Sequence, residues 1–363
     1  MALTIEHLTT KAEIERLGLT GFEDAGGIIR MRNSNGMEVL VTPFGASTLR
    51  VIVPDRHGRP TNIALGFNSL AEYVRDTSYQ GRVIGRNANR IAKARYRDPV
   101  TGDIVELDAN DKNTGANLHG GSRGWSERTW NIHPNERMVQ SNDSVSTLFY
   151  LNDNNQEEGA GFPGLVYGSA KVMLSEDNVL SYPLHASLFQ MGSIANPTIH
   201  TYFNLNGASS GTTIHNHLMQ TNANAHVVVR NLIPTGALEK VVGTRFDLTK
   251  ERSIGGEHFG DMGYDDCWAL TEGGQIYVSV YSPRTGIQMT TSADPTTRAT
   301  QIYTGYFLNG KPAIQFGGIC IEPGDAIDAI NQPELCRALG IRPFKEAYSD
   351  FYRTISYKFD VRR

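Results

Sequence analysis

Gln275-Ile276-Tyr277-Val278-Ser279-Val280-Tyr281-Ser282-Pro283-Arg284-Thr285-Gly286-Ile287-Gln288-Met289-Thr290-Thr291 alternates apolar or aromatic residues with polar ones on both sides of a segment containing Pro and Gly. A period of two sends successive side chains to opposite faces of an extended chain, and Ser282 to Gly286 has the residues that reverse such a chain. The stretch therefore predicts two antiparallel strands joined as a hairpin. The same pattern recurs on either side. Met37 to Thr42 alternates, breaks at Pro43 with Gly45 close behind, and resumes from Ser47 to Val53 before the turn Pro54 to Gly58. Shorter runs follow at Ser146 to Leu151, Ala170 to Leu174, His226 to Val229 and Ile355 to Phe359.

Helical signals are few. Ala12 to Leu19 mixes charged and aliphatic residues at roughly helical spacing, and Asn68 or Ser69 offers an N-cap for one turn after Phe67. Many short strands with turns between them and little helix predict an all-β protein, a large antiparallel β-sandwich. Neither a low-complexity linker nor a fixed-period repeat interrupts the pattern, so residues 28–363 read as one domain. Residues 1–27 read as an N-terminal extension holding a short helix before the Gly26-Gly27 break.

The totals narrow the function classes. At 39% hydrophobic and 20% charged residues the chain can bury a core rather than stay disordered. A net charge of -4 without a basic cluster excludes a broad nucleic-acid surface. No apolar run is long enough for a signal peptide or a membrane span, which makes the cytoplasm the expected compartment. Cys267, Cys320 and Cys336 are too few and too scattered for a disulfide framework and read as reduced thiols. The expected partner is a small molecule, bound by a monomer or homodimer.

Two motifs mislead. Gly159-Ala160-Gly161-Phe162-Pro163-Gly164 has the spacing of a dinucleotide-binding loop, but polar residues precede it, Pro163 lies inside it, and Leu165 onwards reads as strand, so a glycine-rich turn is expected. His215-Asn216-His217 would put two imidazoles on one strand face, yet no third ligand is near in sequence, and a solvated strand start is expected.

Five other stretches carry chemistry only in combination. Gly318-Ile319-Cys320-Ile321-Glu322-Pro323-Gly324 reads as a short strand that stops at Glu322, where apolar neighbours would raise the carboxyl pKa towards that of a useful base. Asn196 to Leu205 places His200 on an aromatic, strand-like segment, and Asn117-Leu118-His119-Gly120-Gly121 sets a histidine against two glycines that allow close backbone approach. Gly263-Tyr264-Asp265-Asp266-Cys267-Trp268 pairs carboxylates with flanking aromatics, a usual furnishing for sugar hydroxyls. Gly85-Arg86-Asn87-Ala88-Asn89-Arg90-Ile91 supplies amide and guanidinium donors. Taken singly, each is equally well read as an ordinary turn, core histidine or surface stretch.

In this order, and together with Leu232 to Gly236, Gly243 to Leu248 and Gln301 to Leu308, they resemble the aldose 1-epimerase (mutarotase) family from about Asn35 to Phe359. The resemblance implies a β-sandwich with its site in an open cleft on one sheet. It implies Glu322 as general base on the anomeric hydroxyl and His200 as general acid to the ring oxygen, with Arg90, His119, Asp265 and, less centrally, Asn89 binding the sugar. It implies no cofactor. Opening a hemiacetal needs one group to accept a proton while another gives one, and a carboxylate with an imidazole can do both near neutral pH.

Three departures from the family pattern bear on the sugar: Ile199 stands where Asn is usual, Asp266 where His is common, and Pro323-Gly324 where a Thr-Gln pair is usual. Competing readings are a hexose-phosphate mutarotase using Arg86, Arg123 or Arg128, a non-catalytic sugar-binding module, and a glycosidase pairing Glu322 with Asp265 or Asp266.

Overall fold

In the computed structural model, residues 2–154, 160–310 and 314–363 are described; Gly159 of the glycine-rich stretch lies outside them. The hairpin on which the fold reading rests is formed by strands Tyr277–Tyr281 and Ile287–Ala293, in register from Tyr277 opposite Ser292 to Tyr281 opposite Gln288. Gly286 closes the turn at φ 77°, and its N–H donates to the Ser282 carbonyl. This hairpin belongs to a ten-stranded antiparallel sheet in which Leu165–Ser175, Val179–Phe189, Asp350–Val361, Ile287–Ala293 and Tyr277–Tyr281 are successive neighbours. The central strands run well past the alternating runs that signalled them, since partners on both sides go on pairing after the local alternation fades.

A six-stranded sheet carries Tyr202–Phe203, Ile319–Gly324, Ala299–Tyr303, Asp265–Ala269, Ala225–Arg230 and Ile233–Lys240 in that order. A five-stranded sheet carries Thr4–Leu8, Ile28–Arg32, Glu38–Thr42, Ser47–Pro54 and Pro60–Asn62. All three contribute to one apolar core: Met289, Ile355 and Tyr357 from the large sheet, Trp268, Ile302, Ile319 and Ile321 from the six-stranded one, and Val39, Val41 and Val51 from the third. Ile319 and Ile321 have no exposed surface; burying such a side chain stabilises by about 1.5–3 kcal/mol. The protein is thus mostly β, as the hairpin grammar implies, with α-helices among the described residues limited to Lys11–Glu15, Leu70–Arg75 and Pro333–Leu339 and a few 3-10 turns. None of its helices is long and apolar enough to cross a membrane among the described residues.

Three local expectations change. The helix expected over Ala12 to Leu19 covers only Lys11–Glu15, because Thr10 caps it with Glu13 and the chain then turns through Gly18 at φ 69°. The segment before it, Thr4–Leu8, is a strand paired with Ile28–Arg32, and Ile14, Leu19 and Phe22 pack with Tyr73. Glu322 does not end its strand: Ile319–Gly324 runs through Pro323, opposite Thr300. Proline is tolerated there because the neighbouring Tyr202–Phe203 strand pairs only with Ile319 and Cys320, and the Pro323 carbonyl accepts a bond from Thr198 Oγ1 at 2.9 Å. Nor do His215 and His217 start a solvated strand. His217 has no exposed surface and its Nε2 accepts the Leu205 N–H at 2.9 Å, while His215 packs against Phe259 and Phe316. Downstream of the glycine-rich stretch the chain continues as the strand Leu165–Ser175, and a dinucleotide loop would need a helix there.

Candidate active site

Three adjacent strands of the six-stranded sheet build the floor of a cleft by period-two alternation. In Ile319–Gly324 the isoleucines face the core, so Cys320 and Glu322 face the other way. In Ala299–Tyr303 Ile302 is in the core, which turns Gln301 and Tyr303 outward, and in Asp265–Ala269 Trp268 is in the core, which turns Asp265 outward. Register then sets Gln301 opposite Glu322 and Asp265 opposite Tyr303. His200 ends the strand Thr198–His200, whose Ile199 is wholly buried in the core. The Ile199 departure is therefore absorbed as packing.

The cleft has a volume of about 250 Å³ and is lined by all six sequence-derived candidates: Asn89, Arg90, His119, His200, Asp265 and Glu322. His200 and Glu322 are only 4% and 3% exposed, and His200 Nε2 lies 3.6 Å from Glu322 Oε1. That is too long for a hydrogen bond, but it lets both groups reach atoms of one bound molecule. Burial drives both towards their uncharged forms. Glu322 is pushed well above its ordinary value by desolvation and then by the nearby Asp265 carboxylate, against a smaller pull from Arg90. Desolvation takes His200 down to about 3. Asp265 is also raised by burial, although Gln301 Nε2 donates to its Oδ1 at 2.7 Å.

A loop folded over residues 89–91 completes the wall. Asn117–Leu118 pairs with Arg90–Ile91, and the His119 N–H donates to the Asn89 carbonyl at 3.3 Å. Asn89, at φ 62°, returns its own N–H to His119 Nδ1 at 3.3 Å. A ring nitrogen that accepts a backbone N–H bears no proton, which leaves neutral His119 as an Nε2–H donor. Burial lowers its pKa well below the usual histidine value and keeps it neutral. Gly120 beside it serves backbone packing rather than a ligand: a Cβ there, at φ 88°, would collide with the Gly85 carbonyl oxygen. Arg90 reaches back to Asp111, with Nε to Oδ2 at 2.8 Å.

Among the described residues, His119, His200 and Glu322 form the group with ligand-type atoms near enough to suggest a metal, within 4.8 Å of one another. Ligand bonds of about 2.0–2.2 Å would require those atoms to close in, and coordination by His119 Nε2 would put a proton on Nδ1, facing the Asn89 N–H. These residues therefore suit a polar organic ligand better than a metal ion.

Other sequence candidates fall elsewhere. Arg86 has no exposed surface; it donates to Asp153 Oδ2 at 3.0 Å, to the Pro163 carbonyl at 2.6 Å and to Ser193 Oγ at 3.1 Å, and it is a structural tie. Arg128 donates to the Asn152 carbonyl at 2.7 Å, and Arg123 is an exposed residue that does not line the cleft. Asp266 faces away from Asp265 and lies 3.3 Å from Arg245, whose guanidinium stacks on Phe246 and Tyr264. All three cysteines are free thiols.

Some contributors were missed in sequence. Gln301 opens a quoted stretch, but its link to Asp265 follows from strand pairing that no local pattern reveals. Tyr79 packs its ring 4.7 Å from that of His119 and 5.9 Å from that of His200, from a loop where Asp76 accepts the N–H groups of Ser78 and Gln80.

The aldose 1-epimerase family model matches residues 27–339. The chain is 31% identical to an aldose 1-epimerase of Escherichia coli K12 over 325 residues, covering 85% of this chain and 88% of that protein. It is 29% identical to a human galactose mutarotase over 364 residues, covering 96% and 99%. The fold superposes on a galactose 1-epimerase from Lactobacillus acidophilus with a TM-score of 0.79 at 23% identity, covering all of both chains. A C. elegans aldose epimerase homologue gives 0.80 at 23% identity, covering 93% of this chain and 99% of the other. At such identities the structural likeness speaks for the fold, and the sequence matches speak for the family: the chain belongs to the aldose 1-epimerase family of isomerases.

Proposed function

We propose that the protein interconverts the α and β anomers of a free, uncharged aldohexose such as glucose or galactose. The observation that carries this reading is the approach of His200 Nε2 to within 3.6 Å of Glu322 Oε1 in a buried site. Glu322 removes the proton of the anomeric hydroxyl while His200 protonates the ring oxygen. The ring C–O bond breaks, the open-chain aldehyde rotates about its first carbon-carbon bond, and closure on the other face returns both protons. Arg90, His119 and Asp265 bind and orient the sugar, with Asn89 beside them.

The pair needs one proton in all, and its two locations correspond to the two halves of the reaction. With the proton on His200 it opens the ring; with the proton on Glu322 it closes the aldehyde. Burial favours the second form, since it raises Glu322 and lowers His200. Both forms are available without a change in net charge, which suits a reaction that runs equally in both directions.

The charge of the cleft supports a neutral sugar over a sugar phosphate. Arg90 is the only Lys or Arg among the described residues that line it, and Asp111 already accepts from that guanidinium, while Asp265 and Glu322 add carboxyl groups. A phosphate dianion would lack a free cationic partner. The test is polarimetry on freshly dissolved α-glucose and α-galactose with wild type, Glu322→Gln and His200→Ala. Acceleration by wild type and loss of most of it in both variants is expected; a wild type no faster than buffer on either sugar refutes the reading.

A further inference from the structure

The Arg90–Asp111 pair has a consequence for substrate choice beyond holding a side chain in place. Arg90 is largely buried and Asp111 more so, with Nε to Oδ2 at 2.8 Å. The carboxylate is fixed independently of the arginine: Oδ1 accepts the Asn113 N–H at 3.0 Å, Oδ2 accepts the Thr114 hydroxyl at 2.7 Å, and the Asp111 carbonyl accepts the Gly115 N–H at 2.8 Å. The same loop continues into Asn117–Leu118, which pairs with Arg90–Ile91, and then into His119. One turn thus fixes a counter-charge behind the cleft's arginine while leaving Arg90 among the residues that face the ligand.

We propose that Asp111 is a specificity-determining residue: by cancelling the charge of Arg90 from behind, it makes the cleft select neutral aldoses against anionic ones such as uronates and hexose phosphates. The guanidinium keeps N–H donors for sugar hydroxyls, but its charge is already satisfied in a low-dielectric setting, so an anion entering the cleft meets no uncompensated cation among the described residues that line it. Without Asp111 the same cleft would hold an unpaired arginine and attract anions. Burial alone would raise the Asp111 carboxyl, but the hydrogen bonds from Thr114, Arg90 and the Asn113 N–H hold its pKa below the ordinary value, so the carboxylate stays charged throughout the neutral range. This inference rests on the proposed function for its kinetic readout and on binding alone for its second arm.

The experiment compares D-glucose with D-glucuronate, which differs by a carboxylate in place of the C6 hydroxymethyl group. Wild type, Asp111→Asn, Asp111→Ser and Asp111→Glu are assayed by polarimetry, and glucuronate binding is measured by calorimetry. The ratio of kcat/KM for glucuronate to that for glucose should rise about tenfold or more in the two uncharged variants, which is what one uncompensated charge is worth at a desolvated site, and fall back in Asp111→Glu. Glucuronate affinity should rise in parallel, and Thr114→Val, which loosens the turn without changing charge, should leave the ratio where it was.

A parallel loss on both sugars in Asp111→Asn and Asp111→Ser, with no gain in glucuronate affinity, overturns the proposal in favour of a purely structural role. A wild type that takes both sugars equally well also overturns it, while leaving the mutarotase reading intact. If wild type accelerates neither sugar, that reading has failed by itself, and the calorimetric arm still decides: no affinity gain in the uncharged variants rejects the role of Asp111. If one uncharged variant does not fold, the other carries the test.

Discussion

Replacing Glu322 with glutamine should separate chemistry from folding, because the two respond in opposite directions. The residue is 3% exposed, its Oε2 has no hydrogen-bond partner, and burial and Asp265 hold its pKa above the ordinary 4.5. The amide keeps the size and removes the proton exchange. General acid-base catalysis contributes about 10²–10⁴-fold, so kcat for α-glucose should fall by that factor, a loss of about 2.7–5.4 kcal/mol of transition-state stabilisation, with KM little changed. Stability should move the other way. A group whose folded pKa is raised binds more protons folded than unfolded, so wild-type stability falls as pH rises from 4.5 through the raised value, by about 1.4 kcal/mol for each pH unit in that window. Glu322→Gln carries no such dependence. Its Tm should therefore match or exceed that of wild type at pH 8, and the gap should narrow towards pH 4. Polarimetry gives the rates and circular dichroism the melting curves at both pH values. A variant that keeps most of the wild-type kcat refutes the base assignment, and one that melts lower at pH 8 refutes the account of Glu322 as a carboxyl held against its desolvation.

Other expectations follow from neighbouring features. His217 is buried with Nε2 accepting the Leu205 N–H, and its pKa falls from 6.5 to about 4. The unfolded chain takes up that proton first, so stability present above pH 6.5 is lost as pH falls towards 4, by roughly 3 kcal/mol; urea midpoints for wild type should show the slope and His217→Gln should flatten it. Arg86→Met removes five hydrogen bonds from a wholly buried guanidinium and should cost about 3–5 kcal/mol in urea unfolding; a midpoint close to wild type would contradict its structural role. Gly120→Ala drives a Cβ into the Gly85 oxygen at φ 88° and should sharply reduce soluble folded protein, measured by yield and circular dichroism.

Much of this was legible in the sequence because β-structure writes itself in short repeats. The hairpin of Tyr277–Tyr281 and Ile287–Ala293 could be read almost to its ends, since alternation and turn chemistry agree there. The strand through Glu322 could not: Pro323 normally stops a strand, and only the missing partner beyond Cys320 makes it acceptable. The cleft candidates were found one by one, as a histidine beside glycines or a carboxylate between aromatics. Their grouping depends on pairings between residues far apart in the chain, such as Asp265 opposite Tyr303 and Gln301 opposite Glu322. Arg86 and Arg90 show the limit most plainly, because four residues apart in one basic stretch they end respectively in the interior and at the cleft. Nothing in their immediate neighbours distinguishes a tie from a ligand contact.

The floor strands of the cleft carry two interleaved sequences. In Asp265–Ala269, Ala299–Tyr303 and Ile319–Gly324, one set of alternate positions, with Trp268, Ile302, Ile319 and Ile321, answers to the core, and the other, with Asp265, Gln301, Tyr303 and Glu322, answers to the ligand. Substitutions in the second set leave the apolar packing beneath them intact, so the chemistry of this surface can be rewritten without renegotiating the fold. For laboratory evolution that means libraries concentrated on residues 265 and 301 can explore new sugars while drawing little on the thermal tolerance of the scaffold, whereas Tyr303 also packs with Leu65, Tyr202 and Leu308 and is better kept.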